Sequence, residues 1–201
     1  MAFPTTLWTT IREAGARDPM ALQRFVERYR SPVLEYLVRH GYSEHDAEDV
    51  CHDVLVRVID QGVLSKADHD RGRFRSLLLR VTQRTIQDRR RKRVAVPVGD
   101  FRPSDLPIEA GDDRIFDEVW ALGLAERALV RLREQGSRYY PVLCDHLRGR
   151  PVDRNRLWIA RGKLVNLIRR EVANTCSSTE DFEEEWAHLA RYLRPRNLES
   201  D

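Results

Sequence analysis

Apolar residues recur three and four positions apart along most of this chain, the spacing of helices with one buried face. Thr5 or Thr6 opens a short expected helix that includes Trp8 and Ile11. Asp18-Pro19 then reads as an N-cap followed by proline at the first helical position. Leu22, Phe25, Val26, Tyr29, Val33 and Leu37 continue at helical spacing. Pro32 interrupts that run, so a broken or bent helix is expected over 19–39, ended by Gly41. Ser43 with Asp46 three residues on marks the next helix start. Its inner face is Ala47, Val50, Val54, Leu55 and Val58, and it runs to about Asp60. After a loop, Phe74, Leu77, Leu78, Val81 and Thr85 outline the inner face of a helix over 72–93.

The segment 94–113, VAVPVGDFRPSDLPIEAGDD, has proline and glycine but no helical period, and reads as a linker. Helical spacing resumes with Ile115, Val119, Leu122, Leu129, Val130 and Leu132, closed by Gly136. A short helix over 137–147, a turn RGRPVD and a helix over 154–173 capped by Asp153 follow. Phe182, Trp186, Leu189 and Leu193 stripe a last helix over 179–193. No strand pattern longer than four residues and no internal repeat is present. The expected fold is all-α. Two small helical domains, 1–93 and 114–201, are joined by the 94–113 linker, and the second is a bundle like a helix-turn-helix.

Charge sharpens this picture. Arg71–Arg93 holds ten Lys/Arg against Asp88 alone, a local net charge of +9 in a chain of net charge +3. Residues 148–170 hold eight cations against one acid. Three acidic stretches surround these two blocks, so two contacts for a polyanion are expected on otherwise acidic bodies. Arg73, Arg80, Arg84 and Arg91 form a line, expected beside the apolar face of the first basic helix. In the second, Asn155, Arg156, Ile159, Gly162, Lys163, Asn166 and Arg170 share the face opposite Leu157, Ala160, Leu164 and Ile168. Arg, Lys and Asn are the side chains that reach base edges and phosphates in a major groove.

Other chemistry is sparse. Cys51, Cys144 and Cys176 are odd in number and lack CxxC spacing, against a disulfide framework or structural zinc and in favour of a reducing cytosol. No signal peptide or membrane span is expected. His45, Asp49 and His52 share a helix face and invite a metal reading. The carboxylates at 46, 49 and 53 more simply make a solvated or partner-binding face. No nucleophile arrangement or phosphate-cradling loop is visible, so neither catalytic residue, metal nor cofactor is expected.

The run from Phe25 to Arg93 resembles region 2 of the sigma-70 family of bacterial RNA polymerase sigma factors, in particular its small extracytoplasmic-function-like members. The matching stretches are RYRSPVLEYLVRHG, DAEDVCHDVLVRVID and GRFRSLLLRVTQRTIQDRRRKR. The most specific parts are the DAED motif from Asp46 with Asp53, and the spacing from Phe74 through Leu78 and Val81 to Asp88 and Arg91. The C-terminal residues are similar, more loosely, to promoter-binding region 4.

The resemblance implies a sigma factor that initiates transcription in the cytoplasm without catalytic residues of its own. The helix 43–60 would dock on the clamp coiled coil of the polymerase β′ subunit through Asp46, Asp49, His52, Asp53 and Arg57. The basic helix would meet the −10 promoter element through Arg73, Arg75, Arg80, Arg84, Gln87 and Arg91. Arg154, Asn155, Arg156 and Lys163 would meet the −35 element. Core polymerase and promoter DNA are the implied partners, an anti-sigma factor is a further class of partner, and no membrane is involved. A sigma-derived DNA-binding regulator that does not initiate is the competing reading. The chain departs from the family pattern at Leu77, where tryptophan is common, at Arg84, where asparagine is common, and in RYYPVLCDHLRGRPVD, which lacks the usual YxEIAxxLG pattern. The acidic last helix is outside the family's minimal plan. It is expected to pack on the second domain or to mask the basic helix 154–173.

Overall fold

The computed structural model describes residues 19–60, 74–94, 112–176 and 178–193. Among them are seven α-helices and no strand: α1 Pro19–Arg39, α2 Glu44–Asp60, α3 Phe74–Val94, α4 Asp112–Glu134, α5 Tyr140–Leu147, α6 Arg154–Ala173 and α7 Thr179–Ala190. The all-α expectation holds. The expected helix at Thr5 or Thr6, the loop before α3 and the centre of the 94–113 linker lie outside the described residues.

Helix α1 is continuous through Pro32, where a break or bend was expected. A proline cannot donate to the carbonyl four residues back, that of Arg28. Arg127 of α4 approaches this carbonyl instead, its Nη1 donating at 3.5 Å. Gly123 makes room for Arg127 at this point, since a Cβ there would lie 3.3 Å from Arg127 Nη1, tighter than ordinary contact. The proline is therefore accommodated by a neighbour that sequence spacing does not reveal. Gly41 ends the helix at φ 80°, in the left-handed region that favours glycine.

Helix α2 opens as its sequence suggests. Ser43 Oγ accepts from the Asp46 amide at 3.1 Å and donates to the Asp46 carboxylate at 2.8 Å. Its inner residues Ala47, Val50, Cys51, Val54, Leu55 and Val58 are buried against α1 and α3. Helix α3 differs from the expected register. Phe74, Leu78 and Thr85 are buried as expected, but Leu79, Thr82 and Ile86 complete the inner face, with Leu77 and Val81 at its margin. The buried hydroxyls of Thr82 and Thr85 donate to the carbonyls of Leu78 and Val81, both at 2.8 Å, so they enter the core with their donors satisfied. This rotation sets the row Arg80, Arg84, Gln87 and Arg91 opposite the packed face rather than beside it.

Helix α4 also turns differently from the aliphatic pattern. Leu122 and Val130 are exposed, while Phe116, Trp120, Ala121, Leu124 and Ala128 are buried. The aromatic residues face α1 and α3. Trp120 stacks on Tyr29 at 5.6 Å and 12°, and its ring centroid is 6.3 Å from that of Phe74. Phe116 meets Tyr36 edge-on at 5.3 Å. Phe25, Tyr29, Tyr36, Phe74, Phe116 and Trp120 thus form one aromatic centre. Residues from 25–86 and from 116–189 share a single hydrophobic cluster. Each large side chain so buried contributes about 1.5–3 kcal/mol, which makes α4 a principal support of the N-terminal helices.

Two ion clusters cross the same junction. Glu171 of α6 is buried and meets Arg28 of α1 at 2.6 Å and Arg131 of α4 at 3.1 Å, with Arg127 at 3.6 Å. The other joins Arg75 of α3 to Asp117 of α4 and Glu185 of α7.

Candidate nucleic-acid interface

Helix α3 has two working sides. Toward α2 it is pinned by ion pairs. Arg57 reaches Asp88 at 2.8 Å and donates to Thr85 Oγ1 at 3.3 Å, and Arg89 reaches Asp53 at 2.6 Å. The hydrogen bond from Arg57 holds the Asp88 carboxyl below the usual carboxylate range. Away from the core, Arg80, Gln83, Arg84, Gln87, Asp88 and Arg91 line an open groove. Arg80, Arg84, Gln87 and Arg91 are exposed, so the line expected to meet DNA faces solvent along one side of the helix. Three arginines and two amides along an open groove suit a polyanion backbone with exposed acceptors. Gln83 was not anticipated; it also donates to Asp113 at 3.2 Å.

The other residues expected at the −10 element differ. Arg73 lies outside the described residues. Arg75 is corrected outright: it is 5% exposed and turned away from the groove. Its Nε donates to Glu185 Oε1 at 2.7 Å and its Nη2 to Glu185 Oε2 at 3.3 Å, while Nη1 donates to Asp117. Burial works against the Arg75 charge, but the hydrogen bonds and charge of Glu185, with Asp117 beside them, outweigh it and raise its pKa. A cation held this way cannot reach a phosphate in this conformation. Its position next to Phe74, inside the buried stripe, was the available sign, because a charge there requires a buried counter-charge. Glu185 carries the same sign, sharing its face with Phe182, Trp186 and Leu189.

The residues expected to meet polymerase also divide. Asp49 and His52 are exposed on α2. The Asp46 carboxylate accepts from Ser43, the cap of its own helix, and Asp53 and Arg57 bind α3, so all three have structural partners. Among the described residues no group of three or more His, Cys, Asp or Glu is placed to hold a metal ion.

The second basic surface is the outer face of α6. Asp153 caps it by accepting from the Arg156 amide at 2.8 Å. Arg154, Asn155, Arg156, Ile159, Gly162, Lys163, Asn166 and Arg170 are all exposed. Lys163 Nζ stands 5.4 Å from the Tyr139 ring. Trp158, 78% exposed, belongs to this surface and was missed, because an aromatic residue on a helix is first assigned to the core. Helix α5 packs on α6, with His146 Nε2 2.9 Å from Arg161 Nη2.

The stretch that forms α1–α3 has a counterpart among known families. Residues 25–95 match the family model of Sigma-70 region 2. The match takes in α2, all of α3 and most of α1. Neither the curated proteins nor the solved structures yielded a match to the chain. Within the matched stretch the groove is the basic side of α3, and Arg75 is turned away from it. No helix among the described residues is long and apolar enough to cross a membrane.

Proposed function

We propose that this chain is a cytoplasmic sigma factor that directs bacterial RNA polymerase to promoters and initiates transcription. The observation that carries the reading is the open groove of Arg80, Arg84, Gln87 and Arg91 on a helix inside the region 2 match. Core polymerase docks on the outward side of α2 around Asp49 and His52, with Asp53 and Arg57 steadying α2 against α3. The groove receives the −10 element and holds the displaced strand, its arginines neutralising phosphates while Gln83 and Gln87 offer hydrogen bonds. The exposed face of α6, with Arg154, Asn155, Arg156 and Lys163, meets DNA upstream in the manner of a recognition helix. The polymerase performs the chemistry.

In vitro transcription with core polymerase tests this. Promoter-specific transcripts that require the chain are expected, and absence of both core binding and specific initiation would overturn the proposal. The competing regulator reading finds support in the way α4 and α7 engage α1 and α3 within one core. A pull-down separates the two, since a regulator binds duplex DNA without core polymerase.

A further inference from the structure

The acidic helix α7 contains Glu180, Asp181, Glu183, Glu184 and Glu185 and no Lys or Arg. It does not cover the outer face of α6, which stays exposed. It takes instead one cation from each basic helix. Glu185 holds Arg75 of α3, and Glu183 reaches Arg169 of α6 at 3.6 Å. The Arg169 guanidinium also lies 5.0 Å from the Phe182 ring and 4.9 Å from the Trp186 ring, against which it packs as a cation on aromatic faces. At the far end, His188 Nε2 stands 2.5 Å from Asp117 Oδ2, and Tyr192 donates to the same carboxylate at 3.4 Å. The contacts of α7 are thus largely ionic and aromatic.

Resting on the sigma-factor reading, we propose that α7 is a built-in competitor for nucleic acid, an acidic strap that occupies cations of both basic helices and is displaced when DNA binds. The aromatic centre around Trp120 stays intact in this exchange, because α4 belongs to the core. The moving part is α7, whose buried apolar anchors are Phe182 and Leu189. Its departure uncovers Arg75 at the start of α3 and frees Arg169 of α6 from Glu183. Phosphates then replace carboxylates as the anionic partners, and the gain is largest at low salt.

The test uses the full chain bound to core polymerase and a fluorescent single-stranded oligonucleotide, with a duplex of the same sequence. The double variant Glu183→Gln and Glu185→Gln is compared with Glu126→Gln and Glu134→Gln, which removes the same charge from exposed sites outside α7. The strap variant is expected to bind about tenfold tighter at low salt than the control variant, with a steeper salt dependence. Hydrogen exchange of the unmodified protein supplies a readout that does not depend on how a variant folds: amides of α7 are expected to lose protection as oligonucleotide saturates. Equal affinities of the two variants, or α7 protection unchanged at saturation, would overturn the strap while leaving DNA binding in place. No binding by any of the proteins would overturn the DNA reading itself, and the strap with it.

Discussion

Arg75 and Glu185 stand 110 residues apart in the chain and form a two-pronged pair, 2.7 and 3.3 Å, with both side chains almost wholly removed from solvent. Removing one member of such a pair leaves an uncompensated buried charge. Arg75→Ala takes the buried cation from Glu185 and from Asp117, which keeps His188 and Tyr192, so a loss of about 3–5 kcal/mol is expected in urea unfolding. Adding Glu185→Gln to Arg75→Ala removes one of the buried charges and should recover part of that loss. A cost below about 1 kcal/mol for the single substitution would mean that the pair behaves as a solvent-screened surface contact.

Trp120 stacks on Tyr29 across the junction between the region 2 helices and α4. If α4 completes that core, Trp120→Ala lowers stability by about 3–5 kcal/mol. The loss should appear equally in probes placed in α2 and in α6. Separate unfolding transitions for the two sets of helices in the unmodified protein would contradict this coupling.

The groove on α3 and the outward side of α2 should be separable by mutation. Arg80→Ala with Arg84→Ala is expected to weaken binding of promoter DNA, to reduce its salt slope by about 2 and to leave core polymerase binding intact. Asp49→Lys should do the reverse. Asp53 is a poorer choice for that experiment, since its carboxylate binds Arg89 and its loss would loosen α2 from α3. Loss of core binding in the double arginine variant would place the groove at the polymerase instead.

Burial pushes the Cys51 thiol up to about 12. Its pKa is higher in the folded chain than in the unfolded one, so its contribution to stability is fully present below the usual thiol value. It is lost as pH rises from there toward 12. At pH 8 a thiol reagent should modify half-buried Cys144 well before Cys51 and Cys176, both buried. Cys51→Ala should reduce the alkaline loss of stability seen in thermal melts at pH 9–11. Rapid reaction of all three thiols under native conditions would argue that the α1–α2 interface opens readily.

Much of the helical plan can be read directly from residues. Ser43, Asp153 and Ser178 mark helix starts, because capping is a local exchange of hydrogen bonds. The exposed face of α6 follows from helical periodicity, and so does the alignment of Arg80, Arg84 and Arg91, but their row was expected beside the apolar face and stands opposite it. Periodicity is weaker where a helix is packed on more than one side. Helix α4 touches α1, α6 and α7, so its aliphatic spacing pointed to Leu122 and Val130, which are exposed, and passed over Phe116 and Trp120.

What the sequence by itself determined is which segments are helical, where the cationic residues cluster and that one continuous stretch, residues 25–95, matches the family model of Sigma-70 region 2. Those properties depend on residues within about two helical turns of one another, and on a family motif in one continuous stretch. Only the tertiary structure decided that Arg127 serves the carbonyl Pro32 leaves bare, that Trp120 completes the aromatic centre, and that Arg75 leaves the DNA-facing set for Glu185. Each of these pairs residues about 90 to 110 positions apart. Local spacing can show that a charge sits within a buried stripe, but its partner is chosen by how the helices pack.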